Sequence, residues 1–281
     1  MARFLGQTQI VLHAILLLIA FLFVAPLIWM VTTSLKAPED IINGLGAMRW
    51  LPHPATLANF HQVLTNVQEF PVWRWTGNSL FISLATTLLI VVVDSLAAFS
   101  YSRLSWKGRD KIFAMLVATM MVPGQVLLIP TYLLIRNLQW FDTYWALIIP
   151  AASSAFGVFL LRQFFMTIPK ELEEAARLDG CGPLGVFRHV ILPLSKPAIA
   201  TLAIFTFMGT WNAFEGPLIF TNSQEMRTLP IGITIFQGHY NAEYGPLMAA
   251  ATLAAIPILI AFLMFQKHII KGISLTGLAG R

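Results

Sequence analysis

Long apolar stretches constrain this chain more than any other feature of its sequence. An apolar helix of about 20 residues is long enough to cross the hydrocarbon core of a bilayer. Six stretches approach or exceed that length, at residues 10–34, 77–102, 111–135, 144–165, 197–220 and 246–267. Of all residues, 57% are hydrophobic and 11% are charged, whereas soluble domains carry about 25% charged residues. The chain is therefore predicted to be an all-α polytopic membrane protein, with six transmembrane helices in a single domain over residues 1–281.

The third apolar stretch contains a candidate break near its middle. Val122-Pro123-Gly124-Gln125 combines a proline, which lacks a backbone donor, with a glycine, which weakens a helix. Inside a membrane, such a pair is tolerated only where neighbouring groups bind the freed backbone atoms. This tetrapeptide is therefore the point at which a helix over residues 111–135 would divide into two.

The lysines and arginines indicate which side of the membrane each loop faces, because cytoplasmic loops carry an excess of both. With the apolar stretches alternating in direction, both termini and the loops at 103–111 and 166–196 share one side. That side carries thirteen of the 18 basic residues, including Arg162 just before the longer loop. The other side carries five. The distribution predicts cytoplasmic termini and an external loop at residues 36–76.

A charged segment at residues 166–196 separates the fourth and fifth apolar stretches. Four apolar residues within it share one face of a predicted short helix: Ile168, Leu172, Ala175 and Ala176. Glu173 and Arg177 are four residues apart, in the order that favours an ion pair along a helix. The segment therefore predicts an amphipathic helix beside the membrane.

Glycines are predicted to end this helix, and a proline to open the next one. Gly180 and Gly182 follow the charged run, and glycine adopts the positive φ of a helix end without a steric cost. Pro183 suits the first turn of a second helix, which Pro193 and Pro197 would end. The expected product is a compact helix–turn–helix.

From the spacing alone, this segment fits an amphipathic loop lying at the lipid interface as well as it fits a protein-docking element. The longer pattern favours docking. Glu174-Ala175-Ala176, then Gly180, then Val190-Ile191-Leu192-Pro193 resembles the EAA loop of bacterial ABC importer permeases. The family pattern is E-A-A-x3-G-x9-I-x-L-P, and Val190 stands at its isoleucine position. In that family, the EAA loop is the cytoplasmic element that docks into a cleft on a separate ATPase subunit.

The resemblance implies which residues contact that ATPase. These are Glu174, Ala175, Ala176, Asp179, Gly180, Leu192 and Pro193. ATP and magnesium would bind to the ATPase, so no cofactor is expected on this chain. The Lys and Arg distribution places the same loop in the cytosol without reference to any family.

Further segments are similar to carbohydrate permeases of the same group. They include Thr56-Leu57-Ala58-Asn59-Phe60 in the external loop, Ala97-Ala98-Phe99 to Arg103-Leu104 in the second stretch, and Trp211-Asn212 in the fifth. The subgroup that fits best is the maltose-permease-like second subunit of sugar and glycerol-phosphate importers. The resemblance implies a type I ABC importer permease fold in the bacterial inner membrane. It also implies a second homologous permease subunit, a dimer of ATPase subunits and an external substrate-binding protein as partners.

Ionisable residues within apolar stretches are candidate functional residues, because charge is costly inside a bilayer. Asp94 lies in the second stretch, where it would either pair with a neighbouring helix or contact the substrate. Trp211, Asn212 and Glu215 lie in the fifth, with Trp211 and Glu215 one helical turn apart. An aromatic ring and polar groups on one face can bind a sugar. The alternative is that Glu215 lies at the outer interface and the aromatic residues pack against lipid or a partner helix.

The missing motifs restrict the remaining function classes. The sequence contains no G-x-x-x-x-G-K-[ST] phosphate loop, so ATP hydrolysis is not assigned to this chain. A net charge of +5 without a basic cluster argues against a nucleic-acid partner. A secondary transporter of a small polar solute is the alternative function, but it would need a coupling-ion site between two matched halves. A membrane enzyme would need a metal or nucleophile motif, and none occurs.

Tryptophans in the external loop indicate contact with an interface. Trp50, Trp73 and Trp75 lie within or at the edge of residues 36–76. Tryptophan is enriched where membrane meets water. The segment is therefore expected to cover the outer membrane surface, to bind an external substrate-binding protein, or to do both.

Overall fold

In a computed structural model of the chain, the structure describes residues 2–42, 49–66, 70–238 and 244–278. Fifteen α-helical segments occur in these ranges: α1 (Ala2–Ser34), α2 (Pro38–Ile42), α3 (Ala58–Thr65), α4 (Val72–Arg103), α5 (Arg109–Thr119), α6 (Leu128–Asn137), α7 (Tyr144–Ile148), α8 (Ala155–Met166), α9 (Lys170–Leu178), α10 (Pro183–Val186), α11 (Leu192–Leu194), α12 (Lys196–Trp211), α13 (Glu215–Phe220), α14 (Leu229–Gly238) and α15 (Tyr244–Leu278). The described residues contain no strand, only an isolated bridge between Lys36 and Ala55. The prediction of an all-α protein is confirmed.

Three described helices are long and apolar enough to cross a membrane: Gln9–Ser34, Val72–Arg103 and Tyr244–Met264. Two bent pairs raise the number of candidate spans to five. One pair joins Arg109–Thr119 to Gly124–Asn137 at 94°, and the other joins Pro183–Leu194 to Lys196–Trp211 at 78°. The first bend lies at Pro123-Gly124, so the predicted breakpoint of the third stretch is confirmed.

The fourth apolar stretch is not one helix, contrary to the boundaries predicted for it. Residues 144–165 divide between the five-residue α7 and the 12-residue α8. Pro150, which has no N–H to donate, lies in the intervening turn, and Ser154 begins a new helix by accepting a hydrogen bond from Gly157 N. The stretch therefore divides into two helices for local reasons, which its apolar composition does not reveal.

The chain forms two compact units, one from residues 1–73 with 232–256 and the other from 74–231 with 257–281. In the first unit, Asn59 Nδ2 donates to Ser34 O at 2.9 Å and Lys36 O at 2.8 Å. These bonds join the end of α1 to α3. A Cβ on Gly245 would lie 2.5 Å from Asn59 Oδ1, so the start of α15 packs closely on the same amide.

The second unit contains an apolar core to which residues 166–196 contribute side chains. Side chains from α4, α8, the EAA loop and α12 form it, among them Phe99, Leu161, Phe165, Val186, Ile191 and Leu202. The Phe99 and Phe187 rings are 5.1 Å apart. The helix–turn–helix is therefore continuous with the packed interior of this unit.

Candidate functional site

Two backbone hydrogen bonds close the helix end at the turn of the EAA loop. Gly180 has φ of +86°, which confirms the predicted positive value. Cys181 N donates to Ala176 O at 2.9 Å, and Gly180 N donates to Arg177 O at 3.0 Å. This pair of bonds defines the Schellman motif, in which a left-handed residue lets two backbone donors reach the last helical carbonyls. The chain reverses there with both of these carbonyls bonded.

The side of α9 that faces away from the core carries both acidic and apolar side chains. Glu171, Leu172, Glu174 and Ala175 are exposed, and Leu178 is 90% exposed. The predicted apolar face is not buried as a unit. Leu172 and Ala175 are exposed, whereas Ala176, and Ile168 just before the helix, pack against the core. An exposed apolar strip beside carboxylates is a surface that a protein partner can cover.

The inner side of α9 carries an ion pair that no spacing in the sequence predicts. Glu173 Oε1 lies 2.8 Å from Arg103 Nη1, and both side chains are almost completely buried. Arg103 Nη2 also donates to Ile168 O at 2.6 Å and to Phe165 O. The expected pairing of Glu173 with Arg177 is wrong, because Glu173 faces the core while Arg177 is exposed.

The second helix of the loop differs in two ways from the prediction. Gly182 does not end α9; it precedes α10 with φ of −73°, an extended conformation open to any residue. Pro183 begins α10, as predicted. Pro193 does not end the helical run, which continues through a π-helical turn at Phe187–Ile191 to Leu194. The change of direction follows at Ser195, and Pro197 lies in the first turn of α12.

The predicted ATPase-contact residues fall into two groups by exposure. Glu174, Ala175, Asp179, Gly180 and Pro193 are exposed, whereas Ala176 and Leu192 are half-buried. The first four of the exposed residues lie on α9 and its turn. Together with Leu178, these four are exposed on one helix and the turn that follows it, where a partner can reach them.

Asp94 is fully buried and bonded to the start of α8. Its carboxylate accepts from Ser153 Oγ at 2.7 Å, Ser154 Oγ at 3.0 Å and Ser154 N at 3.2 Å. Ser154 Oγ in turn accepts from Gly157 N at 2.8 Å. This placement favours pairing with a neighbouring helix over substrate contact, the two roles left open by the sequence.

The fifth apolar stretch ends its helix earlier than predicted. α12 stops at Trp211, and α13 begins at Glu215, so these two residues do not share a helical turn. Trp211 is 2% exposed and stacks on Phe207 at 6.0 Å, while Asn212 and Glu215 are exposed. The expectation that Trp211 and Glu215 face one cavity from a single helix is wrong.

A cavity of about 320 Å³ lies beside this stretch. Its lining comes from α4, α7, the turn after α7, α12, the α12–α13 connection, α13 and the residue before α14. The lining residues are Ser79, Ile82, Ala146, Leu147, Pro150, Ala151, Gly209, Thr210, Ala213, Gly216, Pro217, Phe220 and Thr228. None of Trp211, Asn212, Glu215 or Asp94 lines it. In the ranges that the structure describes, no three His, Cys, Asp or Glu side chains form a metal site.

The other end of α4 binds the segment between α13 and α14. Asn78 Nδ2 donates to Glu225 O at 2.6 Å and Arg227 O at 2.8 Å, and Leu229 N donates to Ser79 Oγ at 2.8 Å. Trp75 is buried and donates to Gln224 O at 3.0 Å. Trp75 is thus an internal anchor, in contrast to its predicted role at an interface.

Asp142 binds the same segment from the α6–α7 connection. Its Oδ1 accepts from Asn222 N at 2.8 Å and from Ser223 N at 3.1 Å. Burial alone would raise the pKa of Asp142, but hydrogen bonds from Asn222 and Ser223 outweigh it and lower the pKa below its ordinary value. The residues around 222–229 are therefore held by side chains from two directions.

Comparison with known proteins relates this architecture to one family. The family described as "Binding-protein-dependent transport system inner membrane component" matches residues 96–275. The arabinooligosaccharides transport system permease protein AraQ of Halalkalibacterium halodurans is 34% identical, covering 93% of each chain. The trehalose/maltose transport system permease protein MalG of Thermococcus litoralis is also 34% identical, covering 98% of each chain.

A solved structure shares the fold. It is the crystal structure of a bacterial ABC transporter involved in the import of the acidic polysaccharide alginate. The TM-score is 0.83 at 23% identity, over 93% of this chain and 96% of that one. The predicted importer-permease fold is confirmed.

These matches decide between the function classes that the sequence analysis left open. Relatives that align over nearly the whole chain are transport-system permeases, so the secondary-transporter and membrane-enzyme alternatives are set aside. The chain is a multi-pass inner-membrane permease component and not an enzyme. It belongs to the family of inner membrane components of binding-protein-dependent transport systems.

Proposed function

We propose that this chain is one of two permease subunits of an ATP-driven importer for a carbohydrate or a related polyol. The printed names of the two relatives refer to arabino-oligosaccharides and to trehalose and maltose, and the solved transporter takes part in alginate import. Saccharides are the chemistry common to all three. An external substrate-binding protein would deliver the solute, and the permease pair would form the path across the membrane.

The exposed face of α9 is the observation that carries this proposal. Glu174 and Leu178 project from a helix whose opposite side is fixed to the core through Glu173 and Ala176. Helices that bind lipid surfaces are typically rich in Lys and Arg on their polar face. This helix instead exposes Glu171 and Glu174. Lys170 and Arg177 are exposed as well, so its polar face has no cationic excess. The face therefore suits a protein cleft, with a basic group of the partner opposite Glu174, better than it suits a lipid surface.

The bend between α5 and α6 supports a second permease subunit. α5 has 11 residues, about 16 Å of helix, whereas the hydrocarbon core is about 30 Å thick. Neither half of the bent pair can cross alone, so the bend belongs at membrane depth. Met121 there is 86% exposed. Irregular backbone at that depth must be covered by protein or by a water-filled cavity, which a homologous partner would provide.

The distribution of lysine and arginine supports an orientation with both termini and the EAA loop in the cytosol. In that orientation, closure of the ATPase dimer would displace α9. Because α9 is fixed to the core of its unit, the displacement would tilt the attached spans and open the path toward the external binding protein.

Co-purification tests the docking claim directly. Affinity-purified wild-type permease should retain ATPase subunits, and Glu174→Ala should lower the ATPase-to-permease ratio. Truncating one partner of a buried interfacial charge pair costs about 2–5 kcal/mol, and much less at a rim. Glu225→Ala, which removes an exposed carboxylate on another segment, is the matched control and should leave the ratio unchanged. Wild-type permease without any ATPase would refute the proposed function.

The substrate class needs its own measurement. The binding protein that co-purifies with the complex should retain a saccharide or polyol, identified by mass spectrometry after denaturation. Uptake of labelled maltose, an arabino-oligosaccharide and glycerol 3-phosphate should then be compared in proteoliposomes. Retention of an amino acid or a metal ion instead would contradict the carbohydrate assignment.

A further inference from the structure

Arg103 connects three helices through a single buried guanidinium. It is the last residue of α4. Its Nη1 meets Glu173 in the first turn of α9, at 2.8 Å. Its Nη2 donates to Phe165 O and Ile168 O, where α8 has just ended. The arginine side chain is 4% exposed and that of Glu173 is 7% exposed. The contact therefore excludes water and joins α4 to both α8 and α9.

Arginine is suited to this position for chemical reasons. The last four carbonyls of a helix lack partners within it, and a cation near a helix C-terminus is favourable. The planar guanidinium offers five donors in a fixed fork, so one side chain can bind a carboxylate and two carbonyls together. A lysine ammonium at residue 103 would retain the charge but not the fork.

The length of α4 extends the reach of this contact. α4 has 32 residues, about 48 Å of helix. Near its first turns, Asn78 and Ser79 bind the backbone of Glu225, Arg227 and Leu229. A displacement imposed at Arg103 is thus applied to a continuous helix whose far end holds another segment of the same unit.

We propose that Arg103 is the positioning residue that makes α9 and α4 move as one body. Movement of the EAA loop is then transmitted to α4 through the Arg103–Glu173 pair. The proposal rests on the proposed function, because it assumes that an ATPase displaces α9. Glu173 directly precedes the E-A-A triplet and faces inward, whereas Glu174 faces outward. The two adjacent carboxylates thus have separate roles, one toward α4 and one toward the partner.

Distance measurement between two spin labels tests the proposal. Labels at Leu88→Cys on α4 and Glu171→Cys on α9 are introduced in a Cys181→Ser background, since Leu88 and Glu171 are both exposed. The whole complex in nanodiscs is measured without nucleotide and with ATP plus vanadate. With Arg103 and Glu173 intact, the distance should stay narrow and change by less than about 2 Å between the two states.

Variants of Arg103 and Glu173 then distinguish a contact that transmits movement from one that only stabilises the fold. Arg103→Met and Glu173→Gln should each broaden the distance distribution and make it state-dependent. Arg103→Lys should give a distance distribution between that of the intact pair and that of Arg103→Met. Arg188→Met changes an exposed arginine of the same loop and serves as the control, with an unchanged distribution expected. A purely structural contact would lower thermal stability in the variants and leave the distance independent of nucleotide.

Two results would overturn the proposal. The first is a shift well above about 2 Å with both residues intact, which would show that α4 and α9 move independently. The second is an unchanged distribution in both Arg103→Met and Glu173→Gln while ATPase is retained, which refutes this inference alone. Absence of ATPase from the wild-type complex refutes the proposed function instead, so the two failures are distinguishable.

Discussion

At the scale of single residues, Gly180 determines the turn between the two helices of the EAA loop. Its φ of +86° costs a residue with a Cβ about 1–2 kcal/mol. A Cβ built there meets nothing within 4 Å in this chain. Crowding by other atoms of this chain therefore does not oppose a Cβ at residue 180, and the positive φ is the cost that remains.

Gly180→Val should lower the ATPase-to-permease ratio more severely than Glu174→Ala, while the spans still insert. Valine both disfavours positive φ and occupies the space in front of the turn. Gly180→Asn is the informative control, because asparagine tolerates the left-handed region. If Gly180→Asn keeps the wild-type ATPase-to-permease ratio, the defect of Gly180→Val comes from backbone strain. If both variants lower the ratio, the defect comes from the space that the added side chain occupies. Wild-type ratios in Gly180→Val would exclude the turn from ATPase docking.

At the scale of helices, the start of α8 depends on a side chain from α4. Asp94 binds Ser153 and Ser154, and Ser154 binds Gly157 N. A Cβ on Gly157 would lie 2.1 Å from Asp94 Oδ2 and 2.8 Å from Ser154 Oγ. The glycine is needed because two polar side chains approach its backbone too closely for any other residue.

Gly157→Ala should therefore lower the melting temperature of the purified complex. Alanine would force apart the Asp94 and Ser154 contacts, and losing an N-cap alone costs about 0.5–2 kcal/mol. Gly77→Ala in α4 is the matched control, since a Cβ there meets nothing within 4 Å. That change should be neutral or stabilising, because alanine exceeds glycine in helix propensity by about 1 kcal/mol. Equal melting temperatures for both variants would contradict the close approach.

At the scale of the whole molecule, the asymmetry of basic residues predicts the topology. Lys107→Cys and Arg188→Cys, each in a Cys181→Ser background, should resist an impermeant maleimide added to intact cells. Glu225→Cys, on the opposite side of the predicted topology, should react. All three should react after the cells are broken open. Labelling of residue 107 or 188 from outside would overturn the orientation, while a silent residue 225 would show that the external segment is covered.

Local sequence signals predicted the local parts of this molecule well. Proline at Pro123 and Pro183 acts on its own helix, and so does the glycine at Gly180, which is why the break, the helix start and the positive φ were foreseeable. The partner of Glu173 was not, because an i,i+4 pattern indicates only neighbours on the same helix. The end of α12 at Trp211 was also missed, although Asn212 directly after it is a recognised helix stop signal.

The bend at Pro123-Gly124 bears on how a cell must handle this chain. Where no partner covers it, the irregular backbone around exposed Met121 faces acyl chains, which offer no partner to a carbonyl or N–H left outside the helices. Copies synthesised in excess would thus carry a permanent defect that membrane chaperones and proteases can recognise. If the proposed second permease subunit covers the bend, the steady-state amount of this protein should follow the supply of that subunit, however strongly its own gene is expressed.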